Sequence, residues 1–181
     1  MENRKSNTGL TYGLIGGLAL SVFLLVLYLV GTSAFMSPAA WIGYIVIIAI
    51  AVLAGVRQRK LNGGYIEFGE ALKVVFAVFA LSFLIQTVFS YILLNYIDVP
   101  FRDALTQATM DKTEEFMRRM GMPDSEIDKA LTEASKQDPS SIKNTLLGYG
   151  ISLIVFFIIS LIIAAIIKRK QPVFDNSFNQ P

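Results

Sequence analysis

Two groups of side chains carry the types and spacing that chemistry would need. Glu67 and Glu70 stand three positions apart, with Lys73 next in the series. On a helix they share a face, an arrangement that can hold a metal ion or relay a proton. A simpler expectation competes with that one. Acidic groups suit a helix N-terminus, and Glu70 can pair with Lys73. The second group is Ser82, Gln86 and Ser90, four apart, with Thr87 beside them and Asn95 further on. These are hydrogen-bonding groups in an otherwise apolar run, so they line either a solute path or a contact with another helix. Solute paths usually carry ionisable groups or helices broken by Gly or Pro at mid-membrane, and this run has neither. The expectation is therefore interhelical hydrogen bonding.

Little else is available for catalysis. The 181 residues include no Cys and no His. Disulfides, thiol nucleophiles, the usual zinc sites and every Ser-His or Cys-His arrangement are excluded. No phosphate-binding glycine loop, dinucleotide fingerprint or nucleophile elbow occurs. The expectation is a protein that is not an enzyme, with no catalytic residue, no metal and no cofactor.

The elements that position these groups follow from charge. Charged residues are 17% of the chain, against about 25% in soluble domains, and they leave long gaps. No Asp, Glu, Lys or Arg occurs between Lys5 and Arg57, between Lys73 and Asp98, or between Lys143 and Lys168. A helix needs about 20 apolar residues to cross a bilayer, so the first gap accommodates two crossings. Four spans are expected, over about residues 9–31, 38–56, 71–97 and 146–167. Gly31-Thr32-Ser33 closes the first, and Ser37-Pro38 restarts a helix with Ser at the cap and Pro at the first helical position. Trp41 and Tyr44 sit where aromatic belts form. Asn62-Gly63-Gly64 reads as a turn. A cleaved signal peptide is the competing reading of the first run, which is longer than the apolar core of such peptides.

Residues 98–145 are the water-soluble part, with seven basic and ten acidic residues up to Lys143. Phe101, Leu105, Ala108, Phe116, Met117 and Met120 recur near helical spacing. Gly121 fits a C-cap. Pro123-Asp124-Ser125-Glu126 reads as a helix start, and Asp138-Pro139-Ser140 as its end. A helical hairpin is expected, its apolar stripes packed together or on a surface. The tail, residues 171–181, is polar and reads as disordered.

Basic clusters at Arg4-Lys5, Arg57 to Lys60 and Lys168 to Lys170 fall on one side of a four-span chain. The positive-inside rule then places both termini in the cytoplasm and the hairpin outside. Gly9, Gly13, Gly17 and Ser21 form a small-residue stripe on the first span; Gly148 and Ser152 begin another on the fourth. Such stripes let helices approach closely, within one chain or in a homo-oligomer, and packing within the bundle is the favoured reading. The partners expected are the lipid bilayer and a membrane protein or a second copy of the chain, with no nucleic acid. The fold class expected is all-α: an integral membrane four-helix bundle, one domain over 1–181, with an extracytoplasmic hairpin between spans three and four. The preferred role is a non-enzymatic scaffold or accessory subunit; the alternative is a small transporter or channel component using the polar face of the third span.

The segment from Asn62 to Lys73, with Gly63, Gly64, Tyr65, Glu67, Phe68 and Glu70, resembles a known family, as do Tyr96-Ile97-Asp98 with Pro100-Phe101 and Ser160 to Lys170. Together they are similar to the four-span bacterial membrane proteins grouped as domain-of-unknown-function family 4199 (DUF4199), mostly from Bacteroidota. The resemblance implies four spans in the inner membrane and assigns no activity. It marks Gly63 to Ala71 as a motif of unknown role.

Overall fold

The computed structural model describes residues 7–136 and 141–170. The described residues are 88% helical and include no strand. The Arg4-Lys5 cluster, the stop at Asp138-Pro139-Ser140 and the tail at 171–181 lie outside them.

Among the described residues, four helices are long and apolar enough to cross a membrane. The first, α1, is Thr8–Val30. A single turn, α2 (Thr32–Phe35), follows Gly31, whose φ of 112° suits a residue without a side chain. A 3₁₀ turn at Pro38–Trp41 leads into α3, Ile42–Leu61. Pro38 takes the first helical position, but Ser37 does not cap. Its hydroxyl donates backward to the Ala34 carbonyl at 2.7 Å. Next is α4, Phe68–Ile92, extended by one π turn over Leu93–Ile97 in which Asp98 N–H reaches Leu93 O at 2.9 Å. Outside the bundle, α5 is Val99–Arg119 and α6 is Asp124–Ser135. Gly121, at φ 78°, makes the turn between them. The last span, α7, is Ile142–Ile167.

The centre of the bundle is α4, which packs on α1, α3 and α7. Glycine makes the closest of these contacts. A Cβ on Gly9 would lie 3.0 Å from Ala77 Cβ, one on Gly13 2.9 Å from Leu81 Cβ, and one on Gly17 2.7 Å from Ile85 Cβ. One on Gly16 would collide with the Ser82 hydroxyl. The stripe on α1 is thus filled by α4 of the same chain, and Ser21 is buried with its hydroxyl donated to Gly17 O at 2.8 Å. On α7 the stripe divides. Ser160 and Ala164 are buried, but Gly148 faces outward with nothing within 4 Å of where a Cβ would stand. Ser152 is half-buried and bonds only the Gly148 carbonyl, at 2.8 Å. Within the chain, Gly148 is therefore not a packing residue.

Phe79 and Phe156 stack at 4.7 Å in the middle of the bundle, and Phe83 meets Phe156 at 4.3 Å. Inward of this layer Val75, Val78 and Ala71 are fully buried. The outward surfaces of the spans carry Leu, Ile and Val throughout, as a helix in lipid requires.

Candidate functional site

The polar groups gather at opposite ends of the bundle. At the basic end a clasp joins all four spans. Thr8 on α1 donates its hydroxyl to Gln58 Oε1 on α3 at 2.6 Å. Gln58 Nε2 donates to Asn62 Oδ1 at 3.2 Å and to Glu70 Oε1 at 3.1 Å. Asn62 Nδ2 lies 2.8 Å from both oxygens of Glu70, on the first turn of α4. Glu70 therefore takes amide donors and not Lys73, its expected partner. An amide offers fixed N–H geometry at close range, whereas Lys73 is exposed on a flexible stem. Glu67 stands at the N-cap of α4 and is exposed.

Between α3 and α4 the chain turns through Gly63 and Gly64, at φ 75° and 95°, where a side chain would strain the backbone. The turn delivers Ile66 into the core. There it forms a two-bond antiparallel bridge with Arg169, Ile66 N–H to Arg169 O at 3.0 Å and Arg169 N–H to Ile66 O at 2.9 Å. Arg59 caps α7 through the Ile167 carbonyl at 3.3 Å. Lys168 lies 5.9 Å over Phe68 and Arg169 5.7 Å over Tyr65, both within cation–π reach. The motif from Gly63 to Ala71 is thus a structural closure. Gln58, its hub, was missed in the sequence; its place four residues before Asn62 was the available signal.

At the other end the helices part. Ser82 is buried and donates to Gly13 O at 2.9 Å, a helix contact of the kind expected. Gln86 and Ser90 do not follow it. Both line a cleft of about 690 Å³ walled by the outer end of α4, by α5 and α6, and by the start of α7. Neither side chain bonds any described residue, so the expected interhelical bonds stop at Ser82. The reason is geometric: Ser82 meets Gly13 and Gly16 of α1, whereas Gln86 and Ser90 face the space left between α4 and α5, α6 and the start of α7. On its other side Gln86 borders a hollow of about 190 Å³ between α1 and α3.

The far wall of the cleft was missed in the sequence. Thr106, Thr109 and Thr113 stand on one face of α5 with Leu105 and Met110; their three- and four-residue spacing was the signal. Asp98 fixes this helix. Its carboxylate caps α5 by accepting Phe101 N–H at 2.9 Å, and it accepts the Tyr28 hydroxyl at 2.7 Å. These bonds hold the Asp98 carboxyl below the usual aspartate range, the Tyr28 bond most. Phe101 adds ring contacts to Tyr28 at 4.7 Å and Phe35 at 5.7 Å. Ile127 of α6 is fully buried, whereas Phe116 and Met120 stay exposed near the tip, contrary to a fully packed stripe. Arg118 ties the two helices through Glu114 and Asp124, which raise its pKa, Glu114 first.

The match to known families settles what the motifs suggested. The family described as protein of unknown function (DUF4199) matches residues 11–169. The chain belongs to that family. The DUF4199 match takes in the cleft and all of the clasp but Thr8, from the first span to the Ile66–Arg169 bridge. No curated protein and no solved structure matches the chain.

Proposed function

We propose that this multi-pass membrane protein is a non-enzymatic binding subunit: a closed scaffold that accompanies a membrane partner and offers it, or a ligand, the cleft at its open end. The observation that carries this reading is the blind end of the cleft. Its innermost lining residue is Gln86; beside it lies the small hollow between α1 and α3, and toward the clasp the Phe79–Phe156 layer closes the bundle. A site with a filled floor holds something; it does not pass it on.

The same reading places the clasp in the cytoplasm and the cleft outside, at the inner membrane of a bacterium with both termini cytoplasmic. The support is the basic residues at the clasp end, Arg57 to Lys60 and Lys168 to Lys170. Extraction of the tagged protein in mild detergent tests the proposal. A bound protein or small molecule is expected to co-purify, and a bare monomer counts against it.

One observation favours a transport component instead. The Gln86 amide has no partner among the described residues, at a depth where an unpaired amide is costly. Solute flux in proteoliposomes, abolished in Gln86→Leu, would establish that reading and displace the first.

A further inference from the structure

We propose that the cleft takes an uncharged, hydroxyl-bearing amphiphile, a lipid with a neutral sugar or polyol headgroup. This inference rests on the binding role above and names its ligand.

Size comes first. About 690 Å³ falls within the range of roughly 300–1,000 Å³ typical of small-molecule sites. Gln86 at the floor and Asn95 near the mouth are about 13 Å apart along α4 at 1.5 Å per residue, so the occupant is elongated.

Charge comes next. Among the described residues, the only ionised side chain in the lining is Arg102. Its guanidinium is already engaged, with Nε and Nη2 on Asp103 at 2.9 and 2.8 Å and Nη1 on Asn95 Oδ1 at 3.3 Å. Among the described residues an anion finds no uncommitted cation here, and a cation finds no carboxylate. Burying an unmatched charge is costly, so the site selects a neutral headgroup.

Hydrogen-bond direction then narrows the chemistry. Thr106, Thr109 and Thr113 donate their protons to the carbonyls of Arg102, Leu105 and Thr109 at 2.9, 2.8 and 2.8 Å. What they present to the cleft is lone pairs and methyl groups. A row of acceptors requires donors from the ligand, which hydroxyls supply in number. The Gln86 amide N–H, lacking a partner among the described residues, suits an oxygen of the same headgroup. Leu94, Leu105, Met110 and Leu131 cover an apolar stem.

The test is native mass spectrometry of the full chain released from phosphatidylcholine nanodiscs. These are doped equally with monoglucosyl diacylglycerol and phosphatidylglycerol of the same acyl chains. Retention of the glucosyl lipid about tenfold above phosphatidylcholine is expected, a preference of about 1.4 kcal/mol. Gln86→Leu and the isosteric Thr106→Val should each remove most of it while helical content and monodispersity stay unchanged. Equal or better retention of phosphatidylglycerol overturns the neutral headgroup. Full competition by excess free glucose overturns the lipid stem. Retention unchanged in both variants overturns the site. If no lipid is retained but a protein partner still co-purifies, this inference fails and the binding role stands; if nothing is held at all, both fail.

Discussion

Gln58, Asn62 and Glu70 spend their polar groups on one another; Gln86 and Ser90 spend theirs on no described residue. The two sets sit at opposite ends of the same bundle and are made of similar side chains. What separates them is the backbone around them. At the clasp, a glycine turn and a two-bond bridge bring four helix ends together, so every amide finds a neighbour. At the cleft, α5, α6 and the start of α7 stand apart from the outer turns of α4, and the same chemistry is left facing space. Polar residues in apolar helices serve assembly or binding according to how near the next helix comes, not according to type.

Glycine gives the sharpest way to test that contrast. Gly17→Leu pushes side-chain atoms into Ile85, whose Cβ is already 2.7 Å from the Cβ position. It should lower stability by at least about 3 kcal/mol, the upper part of the overpacking range. Gly148→Leu, which meets open space, should change it by less than about 0.5 kcal/mol. Thermal melts in one detergent compare the two, and equal losses would erase the distinction between a packed and an open half.

The clasp ranks next. Gln58→Ala breaks the links to Thr8, Asn62 and Glu70 together, and an expected loss of about 1–3 kcal/mol should appear in the same melts. Hydrogen exchange in α5 should not respond, since that helix is anchored at the other end.

A smaller, local effect is expected at Asp98. Asp98→Ala removes the cap and the Tyr28 bond, and the first turn of α5 should exchange roughly fivefold faster, the scale of losing one cap. Acid should act in the same direction. The Asp98 pKa is lowered in the fold, so its contribution is complete above the ordinary aspartate value of about 3.9 and is lost as pH falls through the lower folded value. Exchange in α5 that is indifferent to pH down to that range and below it would contradict the assignment. Smallest of all is Arg118→Ala. Its ion pairs are exposed at the α5–α6 tip, and salt-screened pairs of this kind have little influence on the melting point.

The spans were readable because three charge-free gaps leave a chain few options other than lipid. The small stripe on α1 was readable as a contact surface, but which helix would fill it was not, because periodicity describes one helix and not its neighbour. The same limit explains the grouping of Ser82 with Gln86 and Ser90. Their spacing puts them on one stripe of α4, yet α1 meets Ser82 and leaves Gln86 and Ser90 to the cleft. The motif at Gly63 to Ala71 announced itself through its glycines. Its meaning depended on Arg169, which no local pattern connects to Ile66. The threonine face of α5 is hard to see in the sequence because the apolar positions between its members point toward packing.

The ladder contact between Ile66 and Arg169 also sets an order of events. Arg59 and the carbonyl it caps are 108 positions apart, and Arg169 emerges from the ribosome later still. The first three spans can meet through their glycines while synthesis continues. The seal at their shared end must wait until the last span has been threaded, so a polypeptide halted before that point would leave the translocon as an unlatched trio.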